Sequence, residues 1–434
     1  MRLLSCLVVL SSLVLVSHAE LNQPPEGFTA LFNGKDLSGW WGEKTTNPEK
    51  YMSMDEATFA AYRNKSLEDI NKHWSVKDGI LINDGKGLYL TTDKYYRDFE
   101  LHLEYKTVAR ADSGIYLRGV PQVQIWDYTD QGKFKLGADK GSGGLWNNKK
   151  NPQGKDPLVL ADKPFGEWNA FRISMIGERV TIYLNNKLVV DHARMDNYYK
   201  GKGAGPMPVE GPIQLQTHGG EIQWRNVFVR EISPEEAAKT LSSKGHDGFE
   251  SIYDGSSLKG WKGAVDNYEI VDGAIRCKKG KGGTLFTEGV YGDFVARMEV
   301  SIPPGGNNGL AIRYPGSGNP AYAGMTELQV LDSEAPKYAK LDKRQYHGSA
   351  YGISAAHRGY LREPNVWNFQ EVTVKGSHIT VELNGTVILD ADVSKVSDFM
   401  DNGKHPGLSL KQGHFGFAGH SDPVSFRNLS IKKL

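Results

Sequence analysis

The stretch GFTALFNGKDLSGW, residues 27–40, returns later in the chain as GFESIYDGSSLKGW, residues 248–261, with the same spacing from the first glycine to the tryptophan. A repeat of this size predicts two units that fold alike. Further matches follow in the same order along the chain: residues 98–100 with 293–295, 114–118 with 309–313, Trp168 with Trp367, and His218 with His420. We conclude that the sequence contains two copies of one domain.

Length and composition agree with this organisation. A chain of 434 residues is long enough for two domains, each with its own core. Its formal net charge of +1 provides no field of one sign, so we expect neither nucleic acid nor an anionic membrane as a partner. Fifty glycines together with 10% aromatic residues are typical of an all-β protein with many turns.

The segments between the repeated anchors alternate apolar and polar residues with period two. Clear examples are FELHLEY, residues 99–105, and EVTVKGSHITVELNGTVILD, residues 371–390. The pairs Asn185-Asn186 and Asn384-Gly385 lie between such segments, where they indicate antiparallel hairpins. With about ten such segments per copy, we predict an all-β fold of two tandem concanavalin A-like jelly-roll sandwiches.

Helical patterns occur in two places. Residues 54–71 form an insertion that only the first copy has. The tetrapeptide Ser233-Pro234-Glu235-Glu236 is a capping box that opens a short helix between the copies. We therefore predict domains at 20–232 and 247–434, joined by a linker at 233–246.

The N-terminus has the pattern of an export signal. Arg2 precedes an apolar run at residues 3–16, and a small-x-small site follows at 17–19, so we expect cleavage after Ala19. The run is too short for a comfortable membrane span. We expect a periplasmic or extracellular protein in which Cys277 is the one remaining cysteine, so that no internal disulfide forms.

The hairpin GIYLRGVPQVQIWD, residues 114–127, carries candidate site residues. Alternation places apolar side chains on one face and polar or aromatic ones on the other. The polar face of the first copy is predicted to contain Tyr116, Arg118, Gln122, Gln124 and Trp126. Its counterpart in the second copy contains Arg313, Glu327 and Gln329. Asp127 and Asp332 break the alternation, so we expect them at strand ends. An ordinary solvated face remains an alternative to a binding site.

Other candidates lie outside this hairpin. His218 and His420 follow a strand, and an imidazole can transfer protons near neutral pH, although a solvated or capping histidine fits the pattern as well. Trp146 joins Trp126 as a candidate stacking residue, and Asn147 as a candidate hydroxyl-binding amide. The repeated tryptophans at 40, 168, 261 and 367 are more typical of a sandwich core.

Motifs for other chemistry are missing from the sequence. The glycine-rich loop 141–152 lacks phosphate-loop spacing, and we find neither zinc-ligand spacing nor a calcium loop. A nucleophile elbow is missing as well. We therefore predict no metal site and no cofactor, and a carboxylate-bound calcium has no motif to support it.

Taken with their order, these motifs resemble the 3-keto-disaccharide hydrolase family, long catalogued as a domain of unknown function. The first copy carries the resemblance in FNGKDLSGW (32–40), DSGIYLRGVPQVQIWD (112–127) and GSGGLWNN (141–148). The second carries it in YDGSSLKGW (253–261), ELQVLD (327–332) and ITVELNG (379–385). The resemblance implies a concanavalin A-like lectin/glucanase sandwich and a carbohydrate substrate.

It also implies a reaction. A ketone at C3 of a glycoside acidifies the hydrogen at C2, a base removes it, and the aglycone leaves C1 by elimination before water adds back. Such a site needs a base, an acid for the leaving oxygen and a donor at the ketone oxygen. It does not need the paired carboxylates of ordinary glycosidases.

The resemblance suggests roles and slightly favours the first copy, which fits the family pattern more completely, although the second has an extra carboxylate in Glu327. The possible enolate-stabilising residues are Arg118 and Arg313; the possible bases are His218, His420, Asp127, its counterpart Asp332, and Glu327; the possible hydroxyl-binding residues are Gln124 and Gln329. A lectin-like tandem module without turnover is the alternative, because fold does not fix function and duplication serves avidity. One active copy beside a structural partner is a third alternative. The sequence does not indicate the oligomeric state.

Overall fold

The computed structural model describes residues 21–201 and 205–434, except for the side chain of residue 401. The predicted export signal lies outside these residues. The described chain forms four antiparallel sheets, one eight-stranded and one five-stranded sheet in each copy. This confirms the predicted fold of two tandem β-sandwiches. Within the described residues, none of the helices has the length and apolar character needed to cross a membrane.

The first copy contains thirteen strands and two helices among the described residues. The strands are β1 (Thr29–Ala30), β2 (Trp40–Glu43), β3 (Trp74–Lys77), β4 (Ile80–Asn83), β5 (Tyr89–Thr92), β6 (Phe99–Thr107), β7 (Ser113–Leu117), β8 (Val120–Ile125), β9 (Asn169–Ile176), β10 (Arg179–Leu184), β11 (Lys187–Arg194), β12 (Gln214–Leu215) and β13 (Ile222–Glu231). The helices are α1 (Pro48–Met52) and α2 (Glu56–His73). The large sheet has the order β11-β10-β9-β6-β13-β4-β3, with β1 also paired to β13, and the small sheet has the order β2-β5-β12-β7-β8.

The second copy repeats this arrangement after helix α3 (Pro234–Ser243). Its strands are β14 (Glu250–Ser251), β15 (Trp261–Gly263), β16 (Tyr268–Val271), β17 (Ala274–Cys277), β18 (Gly282–Thr287), β19 (Phe294–Ser301), β20 (Asn307–Tyr314), β21 (Thr326–Leu331), β22 (Trp367–Lys375), β23 (His378–Leu383), β24 (Thr386–Asp392), β25 (His414–His420) and β26 (Ser425–Lys433). A short helix, α4 (Pro320–Ala323), follows β20. The small sheet, β15-β18-β25-β20-β21, matches that of the first copy.

The core of each copy lies between its two sheets. Strand β6 alternates strictly between buried and half-buried residues, as expected for a strand with one face on the core. The buried indoles of Trp40 and Trp261 donate to the carbonyls of Leu31 (2.8 Å) and Ile252 (3.2 Å). The predicted core position is wrong for the other repeated pair: Trp168 and Trp367 are half-buried beneath the guanidinium groups of Arg225 and Arg427, each 4.1 Å away.

The insertion in the first copy folds as predicted, into a helix. Helix α2 begins after Asp55, whose carboxylate accepts a hydrogen bond from the Thr58 amide (2.9 Å) as an N-cap. The helix packs against β2, the edge strand of the small sheet, where Ile70 lies close to Gly42. In the second copy a 3₁₀ turn, Val265–Asn267, follows the corresponding strand. The two small sheets therefore differ at this edge.

Helix α3 joins the two copies through an apolar face. Ser233 accepts a hydrogen bond from the Glu236 amide (3.2 Å), which completes the predicted N-cap. The buried side chains of Ala237, Ala238 and Leu241 pack with residues of both copies, Ile176 and Ile232 from the first and Phe369 from the second. The linker is therefore a packed part of the structure.

Polar contacts complete the joint between the copies. The Glu178 amide donates to the Gly385 carbonyl (2.9 Å), and Arg97 donates to the carbonyl of Tyr360 (3.0 Å). The guanidinium of Arg362 reaches the buried carboxylate of Asp98, 2.9 Å away. Hydrogen bonds and an ion pair therefore link the copies beside the apolar contact of α3.

We predict that Leu241→Ala weakens the joint between the copies. The change leaves a cavity beside Phe369 and should lower the free energy of unfolding by about 2–5 kcal/mol, the usual range for a buried leucine. Lys239→Ala is the matched control, because Lys239 is an exposed residue of the same helix. Urea unfolding of both variants measures the effect, and equal midpoints would contradict the packed linker.

Candidate active site

Each copy gathers polar side chains on the outer face of its small sheet, the face turned away from the core. In the first copy Gly114 of β7 pairs with Gln124 of β8, and in the second Gly309 of β20 pairs with Gln329 of β21. The two hairpins therefore have the same register. Each residue of one cluster can therefore be matched with the residue at the same strand position of the other.

In the first copy the cluster is centred on the buried carboxylate of Asp112. Its Oδ1 accepts a hydrogen bond from Gln124 Nε2 (2.8 Å), and its Oδ2 lies 2.8 Å from Lys133 Nζ and 3.1 Å from His218 Nδ1. Gln122 donates in turn to Gln124 Oε1. One carboxylate thus contacts an amide, an ammonium group and an imidazole.

In the second copy the carboxylate occupies a different position. Gln329 Nε2 donates to Asn307 Oδ1 (2.6 Å), and Asn307 stands where the first copy has Asp112. Glu327 stands where the first copy has Gln122, and its buried Oε1 lies 3.6 Å from His420 Nε2. Both clusters contain one carboxylate near one histidine. In the first copy this carboxylate directly precedes β7, whereas in the second copy it lies on β21, the counterpart of β8.

These contacts shift the titration of both histidines in the same direction. The carboxylate of Asp112 raises the pKa of His218, and the carboxylate of Glu327 raises the pKa of His420, in both cases against the opposing effect of burial. Burial alone would raise the pKa of Asp112, but the contacts with His218 and Lys133 bring it below its usual value. Each histidine is therefore held closer to its protonated form at neutral pH.

The second copy has an open cavity over its cluster. Its volume is about 180 Å³, and its lining includes Asn307, Glu327, Gln329, His420, Tyr322, Tyr338 and Tyr351. The small side chains of Ala311 and Ala418 occupy the positions where the first copy has Tyr116 and Gln216. At these two positions the second copy therefore has smaller and less polar side chains than the first.

The same positions are filled in the first copy. The buried hydroxyl of Tyr116 is hydrogen-bonded to Thr45 Oγ1 (2.8 Å) and accepts a hydrogen bond from Gln216 Nε2 (3.3 Å). Tyr89 lies against Tyr116 with its ring edge-on, 5.5 Å away. Tyr116 and Gln216 therefore add bulk and polar atoms to the outer face of the small sheet in the first copy, where the second copy has alanines.

The structure corrects the predicted positions of Arg118 and Arg313. Both residues have left-handed backbones, with φ of 54° and 47°, and a bulge at this point ends the strand alternation on which the prediction depended. Arg118 is 1% exposed and donates to Asp98 Oδ1 (3.1 Å), and burial lowers its pKa to about 10. Arg313 donates to Asp293 Oδ1 (2.8 Å). Neither guanidinium is bonded to the glutamines, so the shared polar face predicted for them is wrong.

Asp127 and Asp332 lie at strand ends, where their carboxylates hold loop backbones. Asp127 accepts hydrogen bonds from the amides of Arg110 (2.7 Å) and Thr129 (2.8 Å). Although burial raises the pKa of Asp127, the hydrogen bonds from Thr129 lower it overall. Asp332 accepts from the Gly305 amide (2.7 Å). The structure thus separates these carboxylates from the two histidines, because their oxygens are bound to loop amides.

The remaining candidates lie in the loop region of the first copy. Trp126 is buried and Trp146 half-buried, and their rings meet edge-to-face at 5.9 Å. Lys133 Nζ lies 5.6 Å from the Trp126 ring, which brings this pair beside Asp112. Asn147 is half-buried, whereas its neighbour Asn148 is the residue that ties the loop to the Arg194 carbonyl (2.7 Å).

Several site residues were missed by the sequence analysis. Asp112 and Asn307 lie two residues before the paired glycines, so the period-two alternation extended backwards would have placed them on the polar face. Lys133 belongs to a 3₁₀ segment, Gln131–Leu136, and the cavity tyrosines belong to the short helix α4, a 3₁₀ turn (Pro336–Tyr338) and a further turn, for which the sequence contains no comparable signal. Among the described residues, no group of three or more His, Cys, Asp or Glu side chains could hold a metal ion.

Each copy is thus a sandwich of two antiparallel sheets with a polar cluster on the smaller one, and in the second copy a cavity lies over this cluster. The model of the 3-keto-alpha-glucoside-1,2-lyase-like domain matches residues 27–230 and 248–432. The chain therefore belongs to this family and contains two tandem copies of its domain, as the sequence predicts. Membership makes it a carbohydrate-active, hydrolase-like protein.

A curated relative and two solved structures are similar to parts of the chain. The relative, the 3-keto-disaccharide hydrolase of Bacteroides thetaiotaomicron, is 26% identical over 230 residues, which are 43% of this chain and 79% of the relative. A candidate glycosyl hydrolase from Parabacteroides distasonis is 22% identical, with a TM-score of 0.38, and the match covers 43% of this chain and 99% of that one. The carbohydrate-binding module CBM66 of Bacillus subtilis is 12% identical, with a TM-score of 0.27, over 41% of this chain and 98% of the module.

We predict that Arg118→Ala acts on stability and leaves the site intact. The change removes one partner of a buried ion pair and should lower the free energy of unfolding by about 3–5 kcal/mol. Arg313→Ala is the matched comparison and should cost less, because its partner Asp293 is 39% exposed. Urea unfolding tests both variants, and unchanged stability of Arg118→Ala would contradict the structural role.

The histidine titrations give a second test. In the intact protein we expect the pKa of His420 to lie above 6.5, and Glu327→Gln should lower it, because burial is then opposed only by the charge of Asp422. The stability from this pair should be present below pH 6.5 and lost as the pH rises through the folded pKa. NMR titration of the ring protons measures the shift. His218 is the internal control, since it should respond to Asp112→Asn and not to Glu327→Gln.

Proposed function

We propose that this protein cleaves 3-keto-glycosides and that the second copy contains the reaction site. The observation that carries the proposal is the pair of Glu327 and His420 at a cavity of about 180 Å³ lined by amides and tyrosines. Pockets for drug-sized ligands are roughly 300–1,000 Å³, so this smaller cavity suits one sugar ring. Family membership and the name of the Bacteroides relative support a substrate of this class.

The two residues suit the two proton transfers of an elimination. Glu327 takes the proton from C2, next to the ketone, as general base. His420, which its partner holds closer to the protonated form, gives a proton to the oxygen leaving C1. The C1–O bond breaks as a C1–C2 double bond forms, and water then adds back, with a proton to C2 and hydroxide to C1.

An amide takes the place that the sequence analysis gave to an arginine. Gln329 Nε2 is bonded to Asn307 Oδ1 (2.6 Å) and to the Asn308 carbonyl (3.2 Å), which fixes the Asn307 side chain and leaves its amide nitrogen as the donor for the ketone oxygen. Neutral donors of this kind stabilise developing negative charge when they are held in place beforehand.

We also propose that the protein is exported and acts in the periplasm or outside the cell. This rests on the signal pattern in residues 1–19, with a mature chain that begins near residue 20. A sugar oxidised at C3 would then have to reach the protein in that compartment.

Binding without turnover is the second candidate function. It is favoured by one observation in the first copy, where Lys133 lies 2.8 Å from the single carboxylate of the cluster. A carboxylate paired with an ammonium group is a poor base, because its proton affinity is lowered. If both copies only bind sugar, the intact protein should retain a glycan and release no product.

The reaction is tested with 3-keto-trehalose and 3-keto-sucrose, by following the release of free glucose or fructose. We expect Glu327→Gln to reduce kcat/KM by about 10²–10⁴-fold, the usual contribution of a general base. Asp112→Asn is the matched control, since it neutralises the carboxylate of the other copy, and it should leave the rate nearly unchanged. An equal loss in both variants, or full activity of Glu327→Gln, would refute the assignment to the second copy.

A further inference from the structure

We infer that the polar cluster of the first copy is a second sugar site, one that binds a neutral, unoxidised glycoside and does not cleave it. The inference rests on the proposed function only in assigning turnover to the second copy. It depends on three features of the first site. These are the contacts that engage the Asp112 carboxylate, the Oε1 acceptor of Gln216 and the aromatic rings of Trp126 and Trp146.

The carboxylate of Asp112 is already engaged at both oxygens. Gln124 donates to Oδ1, while Lys133 and His218 contact Oδ2. The ammonium group of Lys133 balances the carboxylate, so the site carries no net negative charge while His218 is neutral. Such a cluster binds the hydroxyl groups of an uncharged sugar through its amides and cations.

A buried acceptor in this cluster has no partner. Gln216 is 5% exposed, and its Oε1 makes no hydrogen bond with any of the described residues, although its Nε2 donates to Tyr116. An acceptor left unmatched in a buried position is unfavourable, so a donor that reaches it stabilises the site. A sugar hydroxyl is such a donor. Ala418 holds the corresponding position in the second copy, which therefore lacks this acceptor.

The rim of the first site supplies the apolar contact. Trp146 is half-buried, and its indole nitrogen donates to the Leu136 carbonyl (3.0 Å), which fixes the ring. It meets Trp126 edge-to-face, and Lys133 lies near the Trp126 ring. Anchored aromatic rings beside a few polar groups are the usual composition of small-ligand sites. Because Tyr116 occupies the outer face of the small sheet, the sugar ring would lie beside Trp126 and Trp146.

Trehalose is the probe, since it has no ketone and cannot undergo the proposed elimination. Its affinity is measured by calorimetry, first on the intact chain and then on the variant Glu327→Gln/His420→Ala, in which the second site is disabled. We expect the two affinities to agree. In that background, Trp146→Ala and Gln216→Ala should each weaken trehalose binding by about tenfold. Trp168→Ala is the control, because Trp168 lies on the large sheet under Arg225.

The outcomes separate this inference from the proposed function. If trehalose binding is lost when only the second site is disabled, or if neither Trp146→Ala nor Gln216→Ala weakens it, the inference is wrong. It is equally wrong if the intact chain does not bind trehalose at millimolar concentrations. Absence of glucose release from 3-keto-trehalose, with trehalose binding at the first site intact, would refute the proposed function and leave the second sugar site standing.

Discussion

An arginine–aspartate pair, fully buried in the first copy, ties the two sheets of each sandwich together. In the first copy Arg118 follows β7 of the small sheet, and Asp98 directly precedes β6 of the large one. Arg313 and Asp293 repeat the pair in the second copy. Asp98 also accepts hydrogen bonds from the Gly177 amide and from Arg362 of the other copy, so one carboxylate joins both the sheets and the copies. Loss of either partner removes an interaction that holds a buried charge in the first copy, which is destabilising.

This pair also determines what the small sheet can offer a ligand. The left-handed backbone at Arg118 and Arg313 directs both guanidinium groups away from the polar face, towards the aspartates. The second site is therefore left with a carboxylate, an imidazole and two amides, and the first has Lys133 in addition. We therefore propose a neutral amide as the group that stabilises the enolate, in place of the cation that the family resemblance implied.

The parts of the site that could be predicted are those governed by strand periodicity. Alternation placed Gln124, Gln329 and Glu327 correctly on the polar face, because a strand fixes the direction of each side chain by its position. It failed at Arg118 and Arg313, because a non-glycine residue with positive φ leaves no reliable mark in the sequence. Lys133 and the cavity tyrosines come from loops and short turns, whose path depends on tertiary contacts that no local pattern encodes.

The two clusters differ by two residue exchanges that keep the shape of each side chain but change its charge. Asp112 is replaced by Asn307 and Gln122 by Glu327, and each exchange keeps the size of the side chain while altering its charge. In both copies a glycine lies beneath the long side chain from the neighbouring strand: a Cβ on Gly309 would lie 2.1 Å from Glu327 Oε1, and one on Gly114 would lie 3.2 Å from Gln122 Nε2. The backbone thus accommodates either glutamine or glutamate at this point. The strand arrangement is the same in both copies, but the single negative charge lies in a different place. In the first copy the carboxylate is held by an ammonium group, which suits the sugar binding that we propose there. In the second copy the carboxylate is paired with a histidine beside a cavity, which suits the proton removal that we propose there.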